Sequence, residues 1–182
     1  MQIRTARSSD AAAVAEIYAP VVRETVISFE ADPPSAGEMA ERIESVLATH
    51  PWIVAERSGR ILGYAYAGPH RSRAAYRWAC DVSVYIRPEA QRRGVGRDLY
   101  RALFGILFRQ NFAVAFAGIG LPNAASVALH ESLGFTPVGT FERVGFKFGA
   151  WHDVAWWRLA IRDLGGAPPE PIPFPALKTP LP

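Results

Sequence analysis

The stretch Gln91-Arg92-Arg93-Gly94-Val95-Gly96 carries the most information about the fold. An apolar run with strand alternation leads into it (Val82, Val84 and Ile86, then Arg87-Pro88), and leucines at helical spacing lead out (Leu99, Leu103, Leu107). A strand, a basic glycine loop and a helix start together make a holder for a pyrophosphate. Glycines let the backbone approach the ligand, several N–H groups converge, and the helix N-terminus adds its positive end. The loop is neither the Gly-x-Gly-x-x-Gly dinucleotide fingerprint nor a nucleotide loop ending in Gly-Lys-Ser/Thr. Taken alone, it also fits a glycine turn that merely packs a helix against a strand.

Upstream of the loop, Gln2 to Arg7 alternates weakly as a first strand, and Ser8-Ser9-Asp10 offers caps for a helix carrying Val14, Ile17 and Tyr18. Pro20 is expected to interrupt that helix, with Val21 to Phe29 continuing as a short helix and loop. Ser35 with Glu38 reads as a capping box for a helix through Met39, Ile43, Val46 and Leu47. Trp52 to Glu56 and Ile61 to Ala67 read as a hairpin turned at Ser58-Gly59. A polar, basic loop, Pro69 to Arg77, precedes the strand Trp78 to Ile86.

Downstream, Phe112 to Gly118 reads as a strand, and Asn123 caps a helix from Ala124 to Leu133 that Gly134 ends. Gly139 to Phe148 and Trp151 to Ile161 form a last pair of strands. Antiparallel pairs mixed with two helical crossovers give an α/β fold with a mixed central sheet flanked by helices. Residues 1–164 are expected to form a single domain. Residues 165–182 hold seven of the chain's 15 prolines and are expected to be an extended, mobile tail.

The bulk composition sets limits on function. With 182 residues, 49% hydrophobic and 20% charged, the chain can bury a real core. Its net charge of +3 rests on 18 arginines and two lysines. Arg92, Arg93, Arg97 and Arg101 gather beside the glycine loop, where a polyanion is welcome. The other arginines are scattered, with no basic and aromatic stripe, which argues against nucleic acid. Cys80 is the one cysteine, and the four histidines lack metal-ligand spacing, so no metal is expected. Met1-Gln2-Ile3-Arg4 carries no apolar signal region and no run approaches a membrane span, so a cytoplasmic protein with no membrane partner is expected.

Taken with Val84-Tyr85-Ile86 before it, and Asn123-Ala124-Ala125-Ser126 and Leu129-His130-Glu131-Ser132-Leu133-Gly134-Phe135 after it, the loop resembles the acetyl-CoA site of the GCN5-related N-acetyltransferase superfamily. Further segments are similar to phosphinothricin and methionine sulfone N-acetyltransferases: His50 to Glu56, Tyr64 to Pro69, Val114 to Asn123, and Gly145 to Val154. The resemblance runs from about Ile3 to Leu159. It implies the GCN5-related acetyltransferase fold, acetyl-CoA as co-substrate and a homodimer.

The resemblance also implies roles. Backbone groups of Val84, Tyr85 and Ile86 would meet the pantetheine arm, and amides of Arg93, Gly94, Val95, Gly96, Arg97 and Asp98 the pyrophosphate, with Asn123 and Ser132 as further contacts. Asp81 stands where related enzymes carry a glutamate taken as general base, and His130 where many have a tyrosine that protonates the leaving thiolate. His130 is alternatively a substrate ligand, and Tyr85 a lesser alternative acid. The loop from His70 to Tyr76 matches the substrate segment, with Arg71, Arg73 and Tyr76 suited to a carboxylate and a phosphinate or sulfone oxygen. Phe29 is a candidate wall of the amino-acid pocket and equally a core aromatic.

By strand alternation Asp81, Ser83 and Tyr85 share one face and Cys80 turns to the other, unless a β-bulge intervenes. A free carboxylate of pKa roughly 4 is a poor base for an amine of pKa roughly 8, so Asp81 needs burial or a relaying water. Otherwise Asp81 serves as an ion-pair partner for Arg73 or Arg77. One of Trp156 and Trp157 is expected to face outward as a partner surface.

The expected activity is acetyl transfer to the α-amino group of a small amino-acid analogue by direct attack in a ternary complex. Two alternatives stand beside it: transfer to another amine (aminoglycoside, polyamine or protein N-terminus), or a non-catalytic acyl-CoA-binding module. The basic substrate loop argues against polycations.

Overall fold

Local chemistry sets the boundaries of the elements. Ser35 accepts from the Glu38 amide at 3.2 Å while the Glu38 carboxylate takes the Ser35 N–H at 2.7 Å, so helix α2 (Ala36–Leu47) opens on the expected reciprocal cap. Ser58 and Gly59, at φ 50° and 75°, turn strand β2 (Trp52–Arg57) into β3 (Arg60–Pro69). The Asn123 side chain accepts from the Ser126 amide at 3.1 Å to start α4 (Ala124–Ser132), and Gly134 follows its end at φ 91°. Helix α1 (Ala11–Glu24) runs through Pro20 rather than breaking. Pro20 and Glu16, whose carbonyl loses its partner, are both exposed, so the freed group lies on the solvent side of the helix.

The computed structural model describes residues 1–163 and 165–177. Besides β2 and β3, its sheet contains β1 (Gln2–Thr5), β4 (Ala79–Ile86), β5 (Val114–Gly120), β6 (Thr136–Lys147) and β7 (Ala150–Ala160). The seven strands run β1-β2-β3-β4-β5-β7-β6, antiparallel throughout except for β4 and β5. Helix α3 (Val95–Arg109) presses Val95, Leu99, Leu103, Ile106 and Leu107 onto one face, against Cys80, Val82, Ala115, Ala117 and Trp157. Helices α1 and α2 cover the other face with Val14, Ile17, Met39 and Ile43 against Trp52, Val54 and Tyr64. The mixed, helix-flanked sheet is the one expected.

One irregularity positions the site. Strands β4 and β5 pair only from Ala79 to Asp81, opposite Val114 to Phe116. Beyond Asp81 the two strands part, and the β4 edge from Val82 to Ile86 has no strand partner on that side. The register of β4 against β3 is continuous, so alternation holds from Cys80 to Ile86 without a bulge.

The C-terminal segment is held against the domain over residues 169–177, where an extended, mobile tail was expected. Ile172 exchanges bonds with Gln110, from its amide to the Gln110 carbonyl and from Gln110 Nε2 to its own carbonyl, each 2.8 Å. The Phe174 amide reaches the Thr49 carbonyl at 3.0 Å, and Phe174 and Leu177 pack on the α3-side core. The expectation for 178–182 lies outside the described residues.

Candidate active site

Paired residues of adjacent strands share a face, so the registers put one set of side chains on the α1–α2 side of the sheet. The set is Tyr66 and Gly68 of β3, Asp81 and Ser83 of β4, Phe116, Gly118 and Gly120 of β5, and His152 and Trp156 of β7. His70, one step past the end of β3, follows the same alternation. Its Nδ1 lies 2.6 Å from Asp81 Oδ1. Gly68, directly opposite Asp81, has no side chain to fill the space between them, and the imidazole reaches the carboxylate as a diagonal neighbour.

The ring of His70 is fixed on three sides. It stacks on Phe116 at 4.4 Å and meets Tyr76 and Trp156 edge-on at 6.1 Å and 6.0 Å. Burial pushes the Asp81 carboxyl above its usual range, and the hydrogen bond from His70 opposes that shift. Of the ion pairs weighed for Asp81 neither forms: Arg77 is bound to Glu170, and the partner of Asp81 is His70. The histidine was visible in the sequence, but nothing local in it marks the pairing, which needs the β3–β4 register.

The other expected acceptor residues divide into two groups on this face. Arg71 lies 6.0 Å from the centroid of the Trp156 ring and adds positive field at Asp81. Arg73 opens the 3-10 turn Ala74–Tyr76, which brings Tyr76 to His70. Trp156 is not outward. It leans over Gly118 beside His70, and its buried indole N–H has no partner among the described residues, while Trp157 enters the core.

Phe29 sits further along, 6.3 Å from His152 and directly over Gly145, where an added Cβ would come within 2.3 Å of the ring. Lys147 ties the same segment down by donating to the carbonyls of Val22, Thr25 and Ser28 at 2.6, 3.1 and 2.7 Å.

The donor side lies at the opened β4 edge. Every second residue of Val82 to Ile86 turns its N–H and C=O away from β3, toward the gap. Below it, Arg92 at φ 57° and Gly94 at φ 82° turn the loop into α3, whose first four amides (Gly94, Val95, Gly96, Arg97) have no intrahelical acceptor. Asp98 departs from expectation, because its amide is spent on the Gly94 carbonyl at 3.0 Å. A Cβ at Gly96 would meet Leu129 at 3.3 Å, so this glycine seats α4 close to α3. The Ser132 hydroxyl donates to the Leu129 carbonyl of its own helix at 2.7 Å. Tyr85 packs against Tyr18 and Tyr64, and burial raises its phenol, which weakens it as an acid.

His130 occupies a different layer from Asp81. It is 3% exposed in the α3–α4 contact, with Nδ1 donating to the Ser126 carbonyl at 2.7 Å and Nε2 accepting from Tyr100 Oη at 2.9 Å. Burial lowers the pKa of the ring, and the bond to the Ser126 carbonyl opposes that shift. Both ring nitrogens are thus engaged within the fold.

Three features therefore meet: a parted β4–β5 pair, a glycine-opened helix N-terminus below the gap, and a polar acceptor face above it. A family model for the acetyltransferase (GNAT) domain matches residues 3–156. The chain belongs to the GNAT acetyltransferase family. It is 40% identical over 173 residues to phosphinothricin N-acetyltransferase of Streptomyces viridochromogenes, covering 94% of this chain and 93% of that protein. The L-methionine sulfoximine/L-methionine sulfone acetyltransferase of Salmonella typhimurium is 36% identical, over 90% of this chain and 96% of that protein. Among solved structures, a phosphinothricin acetyltransferase from Sinorhizobium meliloti in complex with AcCoA aligns with a TM-score of 0.89 at 35% identity, covering 93% of each chain.

The GNAT domain makes the chain an acyltransferase. Among the described residues no helix is long and apolar enough to cross a membrane, and no group of three or more His, Cys, Asp or Glu is placed to hold a metal ion.

Proposed function

We propose that this acetyltransferase moves the acetyl group of acetyl-CoA to the α-amino group of a small amino acid carrying a second, tetrahedral oxyanion-like group, of the phosphinothricin, methionine sulfone or methionine sulfoximine type. The observation that carries the proposal is the polar acceptor face. A partly buried carboxylate at Asp81 stands beside the arginine-bearing loop of Arg71 and Arg73, on the side of the sheet where β4 and β5 part. The names of the relatives support the same substrate class.

Asp81 supplies the negative charge that draws the ammonium in and anchors removal of its proton. Arg71, Arg73 and Tyr76 suit the carboxylate and the second oxyanion. Phe29, held over Gly145, closes the far end. The first-turn amides of α3 hold the pyrophosphate of the donor, with the free edge of β4 pairing the pantetheine amides. The donor thus enters from the α3–α4 side and the amine from the α1–α2 side, which favours direct attack with both substrates bound.

A homodimer built on the β6 edge fits the same reading. Phe141, Phe146, Phe148 and Trp151 are each more than half exposed along the β6–β7 hairpin, an apolar edge that a second copy can cover.

A thiol-release assay across amino acids and amines tests the substrate class. Acceleration by phosphinothricin or methionine sulfone is expected, with little by aminoglycosides and polyamines. Equal or better turnover of a polyamine would sink the amino-acid reading. Asp81→Asn should lower kcat by about 10²-fold or more while acetyl-CoA binding stays intact.

A further inference from the structure

We infer that His70 is the proton acceptor of the reaction and that Asp81 is the residue that orients it. The inference deepens the proposed function and rests on its placing the amine at the Asp81 end of the face. Asp81 does not stand alone on this face, because His70 is seated against its carboxylate. Its Nδ1 is bound to Asp81 at 2.6 Å, so with the carboxylate ionised Nδ1 carries the hydrogen and Nε2 carries the lone pair. Nε2 has no hydrogen-bond partner among the described residues, and the side chain is 14% exposed. The stack on Phe116 and the edges of Tyr76 and Trp156 fix the ring plane, as a base needs.

The chemistry also favours the imidazole. The imidazole presents a lone pair at the unbonded end of the dyad, whereas the Asp81 oxygen nearest it is already engaged by Nδ1. Nε2 takes one proton from the ammonium. The free amine nitrogen bonds to the acetyl carbon, and the carbon–sulfur bond breaks with its electron pair leaving on sulfur. The second N–H proton goes to that thiolate, and the imidazolium returns the first to water. One amide, one thiol and one proton are the products.

Three variants separate this role from packing or simple positioning. His70→Asn keeps an N–H where Nδ1 stood but removes Nε2. Its kcat should fall by about 10²-fold with unchanged acetyl-CoA affinity by calorimetry. His70→Phe keeps the ring and its stack and should fall as far. His70→Phe combined with Asp81→Glu restores a carboxylate of greater reach and should recover at least tenfold of the loss. An Asn variant within about threefold of the parent, or a double variant with no recovery, overturns the proposal.

Imidazole nitrogen NMR reads the dyad without any acceptor. His70 should show a protonated, hydrogen-bonded Nδ1 and a bare Nε2 near neutral pH, with that signature lost in Asp81→Asn. Absence of the signature overturns the dyad. Failure of every amino acid to be acetylated, with the signature present, overturns the acceptor reading instead.

Discussion

Glu170 grips Arg77 through two parallel bonds, Nε to Oε2 at 2.8 Å and Nη2 to Oε1 at 2.7 Å. The same guanidinium donates to the Ala74 carbonyl at 3.0 Å and lies over the Trp78 ring at 3.8 Å, while the Trp78 indole donates to the Pro169 carbonyl at 2.9 Å. A residue outside the matched domain thus closes the turn that carries Tyr76 to His70.

Glu170→Ala should therefore loosen residues 74–77, read as faster amide exchange, and raise the acceptor KM by about threefold, with acetyl-CoA KM unchanged. The pair is solvent-exposed, so the effect shrinks in salt. Arg77 holds the Glu170 carboxyl below its usual range. The contact is thus fully present above the ordinary carboxylate pKa and is lost as pH falls through the depressed one. Protection factors at 74–77 should follow that order, and equal protection in parent and variant would show the strap to be idle.

Gly145→Ala places a methyl group where the Phe29 ring lies, at 2.3 Å. The ring has to shift, so acceptor KM should rise by about tenfold while acetyl-CoA KM stays put. An unchanged acceptor KM removes Phe29 from the pocket.

Gly94→Ala asks an L side chain to hold φ 82° in a space that is otherwise open, so the cost is backbone strain of about 1 kcal/mol. If the loop reshapes to relieve it, acetyl-CoA KM rises several-fold and acceptor KM does not. The opposite pattern, measured by steady-state kinetics in both substrates, contradicts a donor role for the loop.

His130→Phe leaves the Tyr100 hydroxyl buried without its acceptor, at a cost of about 1–3 kcal/mol. Tm should fall by about 2–4 °C per kcal/mol, and adding Tyr100→Phe should recover part of it. Turnover at a permissive temperature is expected within a few-fold of the parent. A collapse of kcat at unchanged Tm would return His130 to the chemistry.

Much of this molecule is local and therefore legible. Capping at Ser35 and Asn123, the Ser58-Gly59 turn and the Gly94 loop each depend on residues within a few positions, where side-chain hydrogen bonding and φ preference act directly. Pro20 misleads because its cost depends on whether water can reach the freed carbonyl, which is a property of the surface. The tail misleads because prolines state backbone shape, not what the backbone rests on. There Gln110, fully buried, receives Ile172.

By itself the sequence determined the mixed sheet and the glycine loop under it, because periodicity, caps and turn chemistry are written in neighbouring residues, and its separated motifs carried the resemblance to the family that the domain match shows. Only the tertiary structure decided that Asp81 pairs with His70 rather than with an arginine, and that His130 faces Tyr100 in another layer. Those pairings depend on strand register and on which helix covers which face. Register is settled by burying the whole apolar set at once, so no single residue announces it.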